Sequence, residues 1–161
     1  MKLLLIFLGK PKPPTTASVV DEYVTRLQRL GSCEVQVLRP EKVDRRPTDA
    51  VKTAEGARIL QVIRPDDWVA ACDENGQPVT TTGLVAVLRA AAEGNGTMTG
   101  KRRLVVVVGG ALGLGQNVHH RADQVWALSG LTLAESVARI VLVEGLYRAM
   151  TVIKGHPYHN A

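Results

Sequence analysis

The chain has 161 residues, 45% of them apolar, and carries 20 Lys and Arg against 15 Asp and Glu. That apolar content excludes a disordered polymer, and the length fits one domain over residues 1–161 with a core of its own. The net charge of +5 suits an anionic partner such as RNA without requiring one, and two widely separated cysteines, Cys33 and Cys72, exclude a disulfide framework and fit reduced thiols in the cytoplasm.

In chain order, residues 1–9 (MKLLLIFLG) open like a signal peptide. The apolar run stops at Leu8, however, and passes into Lys-Pro-Lys-Pro-Pro without a small-residue cleavage site, so it reads as a buried first strand. No apolar stretch approaches the roughly twenty residues of a membrane span. Ser18 followed by Asp21 resembles a capping box opening a helix on which Val20, Tyr23, Val24, Leu27 and Leu30 share a face before Gly31. Residues 33–38, with Val35 and Val37, alternate as a strand, and the charged stretch 39–47, bracketed by prolines, is a loop. A second helix is predicted from Thr48 through Val51, Ala54, Ile59 and Val62, then a strand over 68–73 closed by a turn at Glu74-Asn75-Gly76. A third helix spans about 82–92 and precedes the basic run Lys101-Arg102-Arg103.

The next stretch, RLVVVVGGALGLGQ from Arg103 to Gln116, is a short β-branched strand breaking into a turn rich in glycine. Only glycine lets the backbone take positive φ at no steric cost and approach a ligand with no Cβ in the way. A phosphate-binding P-loop would need Lys and Ser or Thr after the last glycine, and Gln116 and Asn117 stand there instead. A dinucleotide fingerprint would need a third glycine where Val118 stands. The turn therefore serves another ligand or is simply a tight connection.

A helix is predicted from Gln116 toward Leu128. His119 and His120, adjacent on it, diverge in direction and have no carboxylate or thiol at ligand spacing, so no metal is expected. Strands alternating with helices imply a parallel sheet, with ligands at the carboxyl ends of its strands, where the glycine turn sits. The last helix, from Glu135 to about Ile153, is apolar on nearly every face, through Val137, Ile140, Val141, Leu142, Val143, Leu146, Met150 and Val152. Cover on two sides is therefore expected, the second from another copy in a homodimer. Glu144 and Arg148 are spaced to pair.

Four ordered segments, VVVVGGALGLG, LSGLTL at 128–133, EGLYRA at 144–149 and the tail GHPYHNA from Gly155, together resemble the RlmH family. The opening MKLLLIFLGK and EGARIL from Glu55 extend the match along the whole chain. These are SPOUT-class methyltransferases that carry methyl from S-adenosylmethionine to N3 of a pseudouridine in large-subunit ribosomal RNA. The resemblance implies a dimeric α/β fold whose C-terminal part is threaded as a trefoil knot. Nothing but the resemblance implies the knot, since chains as a rule do not thread loops. It also implies a cofactor held by three segments, at Cys72, at Gly109 and Gly110, and at Leu128, Ser129, Gly130, Leu131, Thr132 and Leu133.

Methyl transfer from an activated sulfonium needs alignment and exclusion of water more than covalent help. One proton must still leave the acceptor nitrogen. His159, beside Tyr158, is the candidate to orient the base or take that proton, because a neutral imidazole suits general-base work near neutral pH; an inert tail is the alternative. Arg139 and the 101–103 run are candidate contacts to RNA phosphates, in competition with helix packing and solvated surface charge. The chain departs from the family at Ala134-Glu135, where Pro-His is usual, and at Asn160-Ala161, where a basic residue usually follows Tyr-His. Gly115 replaces a usual Ser, and Gly145 a longer polar residue. Two alternatives follow: an impaired dimer that only binds RNA or cofactor, and a flavodoxin-like nucleotide-binding protein.

Overall fold

The computed structural model describes residues 2–42 and 45–158. Strands β1 (Lys2–Leu8), β2 (Ser32–Leu38), β3 (Asp67–Pro78), β4 (Arg103–Val108) and β5 (Gln124–Ala127) form one sheet in the order β2-β1-β4-β3-β5. Every pairing in it is parallel. Helices α1 (Pro14–Leu30), α2 (Thr48–Val62), α3 (Thr81–Glu93), α4 (Gln116–Arg121) and α5 (Glu135–Ile153) complete the chain order. Strand side chains alternate between two faces, and each face has its own helices. Leu3, Leu5 and Phe7 join the core under α1, α3 and α5, whereas Leu4, Ile6 and Leu8 join the core under α2 and α4. A strand covered on both faces needs apolar residues at every position, which is why β1 and β4 read as unbroken apolar runs. None of the helices among the described residues is long and apolar enough to cross a membrane.

Three expectations are corrected. Helix α1 begins at Pro14 rather than at Ser18: proline presets φ for a first turn, and the Ser18 hydroxyl lies inside the helix, donating to the Thr15 carbonyl at 2.8 Å. The 74–76 turn does not close β3. Residues 73–76 loop out as a bulge, and β3 then rejoins β5, so that both Cys72 and Gln77 stand opposite Trp126. Gly76 permits this, because a Cβ there would lie 2.7 Å from the backbone of Val125 and Trp126. Finally, α4 stops at Arg121 and β5 follows it, where a single helix toward Leu128 was expected. Asp123 fixes this strand, its backbone N–H donating to the Val69 carbonyl and its carboxylate accepting from the Val69 N–H, both at 2.8 Å.

Asp67, at the foot of β3, is buried and accepts two bonds from Arg103, at 2.9 and 2.6 Å, and one from the Arg64 backbone N–H at 2.7 Å. Burial alone would raise its pKa, but Arg103 and the Arg64 N–H outweigh it and hold the carboxyl below its ordinary value. A depressed folded pKa contributes stability that is complete above the unfolded value of about 3.9 and is lost as the pH falls through the folded one. Asp67→Asn should therefore lower the urea midpoint at pH 7 and narrow the gap between midpoints measured at pH 7 and pH 3. An unchanged gap would remove this pair from the acid response.

Candidate active site

At the carboxyl end of β3, β4 and β5 the sheet opens into a cavity of about 640 Å³, a size that suits a small organic ligand. Its floor and walls come from the three segments expected of a cofactor site. Cys72 and Val108 contribute strand ends, Gly110 to Gly113 the glycine turn, and Leu128, Ser129, Leu131, Thr132 and Leu133 the loop after β5. Gly130 is exposed between them and lies outside the lining.

The glycine turn folds back on itself. The Gly113 N–H donates to the Gly110 carbonyl at 3.0 Å, and Gly113 has φ of 82°, in the left-handed region. Gly109 is buried behind this turn rather than facing the cavity: a Cβ there would lie 2.9 Å from the Gly113 carbonyl carbon and 3.1 Å from Leu114. Gly109→Val is therefore expected to displace the turn and abolish ligand binding in the cavity indirectly, leaving the rest of the sheet folded. Calorimetry on a folded variant with unchanged affinity would dissociate this turn from the site. Gly115 is equally tight, its Cβ position lying 2.6 Å from Asn117 Oδ1 and 2.7 Å from the Lys52 carbonyl, so the serine usual in the family would not fit this backbone.

The loop after β5 is held at both ends. Ser129 Oγ accepts from the Leu131 N–H at 3.0 Å, and the Thr132 hydroxyl bonds to Glu74 on the β3 bulge. Leu131 stands at the rim, 75% exposed. Burial, with Asp73 adding to it, pushes the Cys72 thiol up to about 12, so it stays neutral at physiological pH and serves as wall rather than nucleophile. Asp73 and Glu74 from the bulge and Glu135 from the first turn of α5 also line the cavity, with Lys52 of α2 opposite in sign. Three carboxylates around apolar walls suit a ligand that is cationic and largely apolar. The sequence reading missed the bulge carboxylates because it placed a closing turn there, although the loop after a parallel strand was the signal available. Lys52, in the second turn of α2, had none.

Arg139 does not face the cavity, nor is it open to an RNA phosphate. Its side chain is fully buried and donates to the Gly9 carbonyl at 2.8 Å, to the Leu8 carbonyl, and to Glu135 at 2.6 Å, over the Phe7 ring. Burial lowers its pKa, and Glu135 partly offsets this. Arg139 thus ties α5 to the end of β1, and Glu135 is its partner.

The basic run is also placed elsewhere. It enters β4 at the amino end, about 17 Å along the strand from Val108, and Lys101, Arg102 and Arg103 pair with Asp123, Asp66 and Asp67 respectively. His119 turns in toward Asp73, at 3.2 Å, while His120 is exposed. Among the described residues no group of three His, Cys, Asp or Glu is placed to hold a metal.

Tyr158 lies outside the cavity lining. Its hydroxyl donates to Glu144 Oε1 at 3.2 Å and lies 3.2 Å from the Tyr23 hydroxyl, its ring stands edge-on to Tyr147, and Glu144 also holds Arg148 at 2.6 Å. This packs it on α1 and the middle of α5, away from the first turn of α5 that meets the cavity. His159 lies outside the described residues.

Comparison with known proteins follows the same outline. A family model described as "Predicted SPOUT methyltransferase" matches residues 1–159. A protein of Methylobacillus flagellatus named "Ribosomal RNA large subunit methyltransferase H" is 38% identical over 99% of both chains. Proteins of the same name from Nitrosospira multiformis and Lysinibacillus sphaericus are 36% identical over the full length of both chains and 35% identical over 99% of this chain and all of the other. A matched family model over nearly every residue and relatives of equal length place this chain in the SPOUT methyltransferase family.

Proposed function

We propose that the protein methylates N3 of a pseudouridine in large-subunit ribosomal RNA, using S-adenosylmethionine and working as a homodimer. The full-length likeness to proteins named for large-subunit ribosomal RNA methylation carries the reading. The cavity supports it: apolar walls with carboxylates at the lip match a sulfonium and an ammonium, and a turn of glycines lets the backbone approach an adenine closely. When bound, S-adenosylmethionine supplies an activated methyl group. The chain's own work is to hold the acceptor nitrogen in line, exclude water and accept one proton, which falls to His159. Threading of the C-terminal part as a trefoil knot belongs to this reading. Incubating ribosomes that lack the mark with protein and cofactor, then digesting the RNA for mass spectrometry, tests the activity; no added methyl on any pseudouridine overturns it.

The dimer has two supports. Val137 and Val141, one turn apart on α5, are left 43% and 36% exposed, an apolar strip a second copy would cover. In addition, Tyr158 packs on α1 and the middle of α5, outside its own chain's cavity, which favours a tail that acts in the cavity of another copy. Light scattering at micromolar concentration should give twice the chain mass, and Val141→Glu should shift it toward the single-chain value; a monomer in the wild type would sink this part of the reading.

A further inference from the structure

The cavity's neighbours along the sheet are the ends of β1 and β2, and both strands send basic loops off the same edge. Leu8 is in register with Leu38, the Gly9 N–H donates to the Leu38 carbonyl at 2.8 Å, and the space beside Gly9 is filled by Pro40, 3.4 Å from a Cβ there. Segments 9–13 and 39–42 therefore leave the sheet side by side. With the first turns of α2, residues 9–13 and 39–58 hold eight Lys and Arg against four Asp and Glu, an excess of four in a chain whose net charge is +5.

Both loops are anchored where they leave the sheet. Arg58 donates to the Arg39 carbonyl at 2.7 Å and bonds to Glu41, whose own N–H donates to Glu55 at 2.9 Å. Arg139 grips the Leu8 and Gly9 carbonyls from the helix whose first turn lines the cavity. Lys10, Lys12 and Lys42 are exposed and form no ion pair among the described residues. This contrasts with the 101–103 run, which sits at the far end of the sheet with an aspartate for each basic residue. The lip of the cavity is acidic on the β3 bulge, where Asp73 and Glu74 disfavour phosphate. An RNA strand that delivers a base there must therefore keep its backbone to one side, and the basic side is that of β1 and β2.

We infer that the phosphodiester backbone of the RNA substrate is held by these two loops, with Lys10, Lys12 and Lys42 each neutralising a phosphate while the target base enters the cavity. The inference rests on the reading that the substrate is ribosomal RNA. Each neutralised phosphate releases counterions, so it appears in the salt dependence of binding.

The test is the triple variant Lys10→Gln/Lys12→Gln/Lys42→Gln, binding ribosomes that lack the mark across a series of KCl concentrations. The slope of log affinity against log salt should fall by about two to three, and affinity at low salt by about tenfold or more. Adenosylmethionine affinity, measured by calorimetry, should not change. Arg102→Gln, removing a basic side chain at the opposite end, should keep the wild-type slope. A triple variant with the wild-type slope overturns the inference, as does a slope lost through Arg102→Gln or wild-type binding insensitive to salt. Because binding is read separately from methylation, a flattened slope without methyl transfer overturns the activity and keeps the surface. Methylation with an unchanged slope does the reverse.

Discussion

Arg139→Met should lower the unfolding free energy by about 3–5 kcal/mol, the range for breaking a buried charged network from one side. The methionine fills part of the space but offers nothing to the carbonyls of Leu8 and Gly9 that the guanidinium bonds, and buried acceptors without a donor carry their full desolvation cost. For a chain of this size the change corresponds to a loss in melting temperature of roughly 10 °C or more. Adenosylmethionine affinity should fall too, because Glu135 loses its partner at the cavity wall. Thermal unfolding followed by circular dichroism measures the first and calorimetry the second. A variant that melts with the wild type and fails only in RNA binding would restore Arg139 to the substrate-facing role the sequence had suggested.

His159→Ala should slow methyl transfer by about a hundredfold or more under single-turnover conditions, the usual worth of a positioned acid–base group. Cofactor affinity and melting temperature should hardly move, since the cavity is built from other segments. The pH profile makes the role specific. A base that must be neutral loses activity as the pH falls through an imidazole pKa near 6.5, and the variant should lose that limb while keeping the rest of the curve. Equal rates in variant and wild type would make the tail histidine a bystander.

Much of the frame was legible because the core periodicities are strong. Helices α2 and α5 begin where the sequence places them, and β1 and β4 show themselves as apolar runs because both faces are covered. The segments the resemblance singles out, Cys72, the glycine turn and the 128–133 loop, do meet around one cavity, although Gly109 lies behind the turn and not in its lining. What failed depended on partners distant in sequence. Strand β5 has only four residues, and what makes it a strand is Asp123 reaching Val69, which no local pattern announces. Arg139 looked like a free charge on a helix because its acceptors are backbone carbonyls about 130 residues earlier. The basic run at 101–103 offered phosphate contact and surface charge as competing readings; it enters β4 at the end of the sheet opposite the cavity and is matched by Asp123, Asp66 and Asp67, whereas Lys10, Lys12 and Lys42 follow their strands.

The bulge in β3 has a consequence for how a ligand is received. Residues 73–76 leave β5 at Cys72 and return to it at Gln77 against the same Trp126, so this part of the cavity wall is a loop closed at both ends on a paired strand. Its conformational freedom is spent when the sheet forms, and a ligand meeting Asp73 and Glu74 has little left to order. Binding enthalpy at that wall is then not offset by the entropy of fixing a loop, and changes in the length of 73–76 should cost affinity even where every lining side chain is kept.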